Sequence, residues 1–554
     1  MGVVRSAGVI GIATMTSRVL GLVRDQVLAY FFGAGDAMDA FRIAFRIPTV
    51  LRDLFAEGAL SAALVPTFTR VLAAGGKSAA WRLASNVIGL LLAVSGAVVL
   101  AGIVLAGPLV SLYAAGFREV PGKIELTIHL TRLVFPFLGM VAIAAVLMAM
   151  LNALHRFFVP ALSPAMFNVA TIICAVLFVP LAPQLGIEPI VAIAAGTLVG
   201  GLGQIMLQWP VIRREGFRYE RVLDLHDPWL HEIGRLMVPG VVGLAAVQIN
   251  LFVNSWLAAG LGTGAVSWLD YAFRLVYMPI GLFGISIATA SLPTISAHAA
   301  TSDVAGIRHA VSSGLRLMLM LNVPATIGLV VLATPIVALI FEHGQFTPAD
   351  TAATAAALAC YAPGLIGYSA VKLISPAFYA MGNSRIPVLA TAASVTLNVG
   401  LNLLLVHRLG HRGLALGTAA ASLLNAGLLF VLLRARLGGL ETGRLVNATI
   451  RISSASVIMA VAAPVATGHS HQKLVVRERS SFLAAPRGRR GRMPGPSGRD
   501  GWGESGGAMV SSNDLPVPPA GDRAAQPIGP RGRCGCAPAR SKQPAANSAP
   551  PTVS

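Results

Sequence analysis

Ionisable residues with ligand-binding chemistry sit where an apolar chain should not hold them. Arg18, Arg24, Asp25, Asp39, Arg42, Arg46, Arg52, Asp53 and Glu57 lie between Ala13 and Ser61, in two segments that otherwise read as membrane helices. A central Arg or Asp costs about 2.5–3.5 kcal/mol on insertion scales, so no lipid-facing helix would hold so many. These side chains must line a polar cavity. In this set five arginines face four acids, and the excess is basic. On a helical wheel Arg18 and Asp25 share a face of the first helix. Asp39, Arg42, Arg46, Asp53 and Glu57 form one stripe on the second, from which Arg52 points away unless Pro48 kinks the helix. Asp270 and Arg274 are spaced i, i+4 in the second half of the chain, where Lys372 adds another cation. Asp25, Asp53 and Glu57 are expected to neutralise neighbouring cations. The remaining guanidinium groups offer planar forks that bind phosphate oxygens in pairs, so a phosphate or diphosphate ligand is expected.

The elements that carry these charges are transmembrane. The chain has 554 residues, a mean hydropathy of +0.72 and 12% charged residues. Apolar runs of bilayer-spanning length recur from Ala7 to Gly468. Thirteen spans are expected, near 8–32, 40–68, 85–115, 126–152, 160–182, 187–212, 236–260, 266–296, 310–341, 352–380, 387–406, 413–434 and 446–467. No cleavable signal is expected, because the first helix is itself charged. Lys and Arg concentrate in alternate connections. Arg118, Lys123, Arg408 and Arg412 fall on the poorer side, which predicts a cytoplasmic N-terminus. The formal charge of +19 is therefore mostly topology and tail, and nucleic acid is not an expected partner. Cys174 and Cys360 read as small apolar packers, while Cys534 and Cys536 lack the second pair that a zinc site needs.

Prolines reveal an internal repeat. Pro66 and Pro293, Pro108 and Pro335, Pro136 and Pro363, and Pro160 and Pro387 are all separated by 227 positions. LVPTFT at 64–69 answers SLPTIS at 291–296, and GPLVSLY at 107–113 answers TPIVALI at 334–340. The expected architecture is an all-α polytopic membrane protein with two parallel six-helix repeats around a central cationic cavity, plus one extra helix. The N-lobe would span 1–215, a cytoplasmic linker 216–235, the C-lobe 236–436 and the extra helix 437–467. Residues 468–554 are rich in Arg, Pro and Gly, and read as a disordered or frame-disrupted basic tail. Gly33, Gly35, Gly281 and Gly284 are hinge candidates, although glycine is common in membrane helices.

With these features in view, the chain resembles the MurJ/MviN family of lipid II flippases, within the multidrug/oligosaccharidyl-lipid/polysaccharide exporter superfamily. The resemblance rests on SRVLGLVRDQVLAYFFGAGDAMDAFRIAFRIP at 17–48 and LRDLFAEGALSAALVP at 51–66. It continues in YAFRLVYMPIGLFGISIATASLPTIS at 271–296 and SPAFYAMGNSRIPV at 375–388. It implies a transporter rather than an enzyme, one that moves undecaprenyl-diphosphate disaccharide-pentapeptide from the cytoplasmic to the periplasmic leaflet of the bacterial inner membrane by alternating access. Substrate-binding arginines would be Arg18, Arg24, Arg52 and Arg274. Gating or charge-pairing roles would fall to Asp25, Asp39, Arg42, Arg46, Glu57, Asp270 and Lys372. Some relatives bind sodium in the second lobe. Here Asn254, Asn398, Asn402 and Thr418 stand at suitable positions for a weak site without a carboxylate. Expected partners are the lipid-linked diphosphate, membrane lipids and the cell-wall synthesis or division machinery. No counterpart of the family's second extra helix is expected after Gly468, so the alternatives are export of another lipid-linked oligosaccharide or a decayed copy that does not transport.

Overall fold

The computed structural model describes residues 3–53 and 59–461. Helix α1 (Val3–Phe32) ends in a turn at Gly33, and α2 (Asp36–Arg52) follows at once. Helices α3 (Ala59–Val104), α4 (Ala106–Tyr113), α5 (Lys123–Val134), α6 (Phe137–Ala153), α7 (Phe158–Phe178) and α8 (Val191–Arg214) complete the N-terminal group. The C-terminal group comprises α9 (Pro228–Ala259), α10 (Ala265–Pro279), α11 (Ser286–Ala300), α12 (Val304–Val331), α13 (Ala333–Phe341), α14 (Pro348–Tyr361), α15 (Gly364–Ala380), α16 (Arg385–Leu409) and α17 (His411–Arg436). Helix α18 (Thr442–Val461) follows. The described residues contain helices and turns but no strand.

Among the described residues nine helices are long and apolar enough to cross a bilayer, or ten if the bent pair α14–α15 is one span. The expected spans outside that set correspond to α1 and α2, which carry the charges, and to α9. The expected span 40–68 is covered by α2 and Asp53 on one side and by α3 from Ala59 on the other, with residues 54–58 outside the described set. Glu57 and the tail 468–554 lie outside the described residues. Helix α9 begins at Pro228, ahead of the expected 236. Asp227 accepts from Trp229 N at 2.9 Å, and proline occupies the first turn, where no N–H is needed. The stretch expected as linker is thus partly helix.

The proline spacing reappears in the element boundaries. Helices α4, α6 and α7 start at Ala106, Phe137 and Phe158, and α13, α15 and α16 start 227 positions later at Ala333, Gly364 and Arg385. Pro136 and Pro363 each occupy the N-cap of the helix that follows. The cause is local: proline removes a backbone donor and restricts the preceding residue, so the helix breaks at equivalent places.

Packing within each group follows membrane rules, with small residues where backbones approach. A Cβ at Gly200 of α8 would stand 2.7 Å from Phe167 Cα of α7. Outward residues are large and apolar, with Leu339 79% and Leu404 72% exposed, as suits contact with lipid. The two groups meet at α2–α10, α1–α13 and α1–α10, while α9 packs along both α3 and α16. One apolar core crosses this meeting, including Leu28, Ala44, Val134, Tyr271, Leu358 and Leu365. It places the charged faces of α1, α2 and α10 against one another.

Candidate substrate cavity and its closed end

The charged residues separate into two clusters. The first is an arginine basin on the inner faces of α1, α2 and α10. Asp25 is buried and bridges both groups: Oδ1 accepts from Arg24 Nη2 at 2.7 Å, and Oδ2 pairs with Arg274 Nε at 2.8 Å. Arg24 also lies over the Phe167 ring, 5.0 Å from its centroid. Asp270 receives Arg42, and Arg46 at 3.4 Å, so α2 and α10 are joined by a second ion pair. Arg42 sits 4.1 Å over the Tyr271 ring. Arg52 donates to Asp53 at 2.8 Å, and Asp53 lies 3.5 Å from Gln248 Nε2 of α9. Neutralisation by Asp25 and Asp53 is thus as the sequence suggested.

Cationic capacity is left over. Arg18 Nη1, Arg42 Nε and Arg42 Nη2 are buried and have no hydrogen-bond partner among the described residues. The Arg274 side chain is 40% exposed and that of Arg46 34%, although both sit among apolar helices. Arg18 lies against Gly281 and 5.8 Å from the Tyr277 ring centroid. Gly281 stands in a π-helical turn, Ile280–Ile285, that follows Pro279, and a Cβ there would collide with the Arg18 guanidinium. Gly284 similarly admits Ser369. These two hinge candidates hold close contacts; Gly33 alone of the pair at 33 and 35 has positive φ, +56°. Lys372 is exposed, and among the described residues no ion pair joins it to the basin.

The second cluster closes the groups at the end where α1 finishes. Asp39 of α2 is fully buried and spends both oxygens. Oδ2 accepts from Gly264 N at 2.7 Å and from Lys123 Nζ at 3.1 Å. Oδ1 accepts from Ser267 N at 3.0 Å and Ser267 Oγ at 2.6 Å. A carboxylate at the N-terminus of α10 satisfies donors that the helix cannot use and meets its positive dipole end. Asp36 binds Lys123 at 2.7 Å and Thr263 at 2.6 Å. Backbone contacts seal the rest: Gln345 N donates to Tyr30 O at 2.9 Å and Tyr271 Oη to Gly33 O at 3.2 Å.

Lys123 was expected as an exposed loop charge; it is buried at the first position of α5. The sequence carried a signal for this. Lys123, Thr127 and Thr131 recur at i, i+4 and i+8, and all three are buried, which is a polar stripe facing inward. Ser267, Thr263 and Asp36 had no comparable signal, since their role depends on the opposing group.

Asn254, Asn398, Asn402 and Thr418 are brought together, as expected. They bind one another: Asn402 Nδ2 donates to both Asn254 Oδ1 and Asn398 Oδ1, the latter at 2.9 Å, and Asn398 Nδ2 donates to Thr418 Oγ1 at 3.3 Å. Only Asn402 Oδ1 is buried and without a hydrogen-bond partner in this set. Among the described residues no group of three or more His, Cys, Asp or Glu is placed to hold a metal ion. Neutral amides engaged with one another do not form a cation shell, which needs several inward oxygens. The set does not fit sodium.

Comparison with known proteins agrees with this geometry. The family model described as lipid II flippase MurJ matches residues 28–480. A probable lipid II flippase MurJ of Vibrio cholerae serotype O1 is 36% identical over 436 residues, covering 77% of this chain and 82% of its own length. The lipid II flippase MurJ of Burkholderia cenocepacia is 34% identical, covering 76% and 82%. A solved lipid II flippase MurJ in an inward closed conformation superposes with a TM-score of 0.70 at 27% identity, over 82% of this chain and 92% of that one. An inward-facing multidrug MATE transporter shares the fold, with a TM-score of 0.66 at 17% identity. The sealed end, the arginine basin and these relatives together place the chain in the MurJ family of lipid II flippases, which are transporters and not enzymes.

Proposed function

We propose that this chain moves lipid II, the undecaprenyl-diphosphate-linked peptidoglycan precursor, across the bacterial inner membrane, with its N-terminus in the cytoplasm. The observation that carries the reading is the unspent guanidinium capacity of Arg18 and Arg42 beside the shared pairs of Arg24, Arg52 and Arg274. A diphosphate brings negative oxygens to donors that protein groups leave unsatisfied, and it does so away from bulk water, where such bonds are strongest. In this reading the groups are sealed at the periplasmic end, and the basin receives the headgroup from the cytoplasmic side. The polyprenyl chain stays in lipid. Asp25 and Asp270 hold the arginines in place until the phosphates arrive and compete for them. Rocking of two parallel six-helix repeats then breaks the Asp39 contacts and opens the other end. Movement of net charge would couple the cycle to the membrane potential, worth roughly 2.3 kcal/mol per charge per 100 mV. The amide chain of Asn254, Asn398, Asn402 and Thr418 serves as a brace between helices, and no step is routed through sodium.

The test is complementation of flippase-depleted cells by this chain, with the outward exposure of lipid II measured directly. Growth together with outward lipid II is the expected result. Growth failure of the well-inserted wild-type chain, with lipid II retained inside, contradicts the reading.

A further inference from the structure

We propose that Lys123 is a positioning residue: it is the resident counter-ion that lets the two groups close over Asp39. The proposal rests on the flippase reading for its biological meaning, while its geometry stands independently. Asp39 receives its bonds from two sources. Gly264 N, Ser267 N and Ser267 Oγ belong to the C-terminal group and leave when the groups part. Lys123 Nζ belongs to the same group as Asp39 and stays. The ammonium is 1% exposed, bound to Asp36 at 2.7 Å and Asp39 at 3.1 Å, and placed 4.2 Å from the Phe117 ring centroid.

This arrangement answers an electrostatic problem of alternating access. When the end is open, Asp39 faces water and needs no partner. When it closes, the carboxylate becomes fully buried. Neutral donors offset part of the desolvation of the carboxylate, and a well-placed opposite charge together with those hydrogen bonds offsets more; removing that charge leaves the ion unpaired, which is costly. A counter-ion supplied by the opposing group would have to be desolvated and aligned at every closure. Lys123 is instead already placed, so each closure makes only directional hydrogen bonds to Gly264 and Ser267. Asp36, 43% exposed and bound to the same ammonium, keeps Lys123 aimed from the wetter side. Phe117 and the apolar start of α5 exclude water from its remaining flank.

The consequence is a bias in conformation. Without Lys123 the closed state buries an unpaired carboxylate, and the population shifts towards the state open at this end. The test uses the full chain with its four native cysteines replaced by serine and a single reporter, Ala34→Cys, buried between the groups at the seal. An impermeant thiol reagent is added from the periplasmic side in the absence of substrate. Lys123→Met should raise the labelling rate about tenfold or more, given the cost of breaking a buried pair. Lys123→Arg should stay near the parent. Adding Asp39→Asn to Lys123→Met should bring labelling back towards the parent, because no charge is then buried. A packing role for Lys123 would give no such reversal. Should Lys123→Met fail to insert, the double variant is still expected to insert and label slowly. Unchanged labelling in Lys123→Met, or a double variant as open or as unstable as the single, overturns the proposal. Labelling needs no lipid II, so failure of the flippase reading would appear in complementation and leave this outcome untouched.

Discussion

Helix α2 takes part in two charge clusters built to opposite rules, the basin it shares with α1 and α10 and the seal it shares with α5 and α10. Around Asp39 every carboxylate oxygen is used, and the counter-ion Lys123 is buried with it. Around Arg18 and Arg42 some guanidinium N–H groups have no hydrogen-bond partner among the described residues, and the neighbouring Arg46 and Arg274 stay partly open. A polar group left unpaired in a dry site costs stability unless a ligand supplies the partner. One cluster is therefore complete as a contact between helices. In the proposed reading an anion completes the other, and the difference is that between a gate and a binding site.

The comparison is most easily broken at the basin. Arg18→Ala, Arg24→Ala, Arg52→Ala and Arg274→Ala should each abolish complementation of flippase-depleted cells while the protein reaches the membrane at normal levels. Lys should substitute poorly where two guanidinium donors are used. Full growth with all four Ala variants would show that the arginine basin is incidental.

A subtler change separates position from charge. Gly281→Ala keeps every ionisable group but drives a methyl into the space of the Arg18 guanidinium. Lipid II exposure should fall by about tenfold or more, since a displacement near 1 Å can cost a site that much. Thermal unfolding should stay near that of the parent, because the displaced group is the end of a flexible side chain. Unfolding at a markedly lower temperature would assign Gly281 to packing instead.

At the gate, Thr263→Val removes the hydrogen bond to the exposed carboxylate of Asp36 but leaves the Asp39 bonds intact. The expected loss is about 1 kcal/mol of closure, read as faster labelling of Ala34→Cys by a few-fold, well below the effect of Lys123→Met. Equal effects would mean that the hydrogen bonds, and not the buried ion pair, set the closed population. Smallest of all should be the effect of replacing sodium by potassium in transport assays, with a change under about twofold expected from an amide set that lacks carboxylates.

The charged stripe was legible because lipid cannot tolerate it, and the matching helix starts because Pro136 and Pro363 each mark a helix boundary. Pairing of Asp25 and Asp53 followed from adjacency, as their partners Arg24 and Arg52 are next in the chain. Contacts between distant segments were not legible. Asp270 as the partner of Arg42 and Arg46, and Ser267 as a donor to Asp39, depend on how two helix groups face each other. Lys123 was misread because hydropathy places a cation at a helix start in the loop, although the threonine stripe behind it marks a polar inner face.

Equilibrium binding tests the central claim most directly. Purified protein should bind a polyprenyl-diphosphate lipid more tightly than the matching monophosphate. Arg18→Ala should weaken the diphosphate complex about tenfold or more and erase the discrimination. If Arg18→Ala binds both lipids as the wild type does, or if the wild type cannot tell them apart, the basin is not a diphosphate site and the account fails.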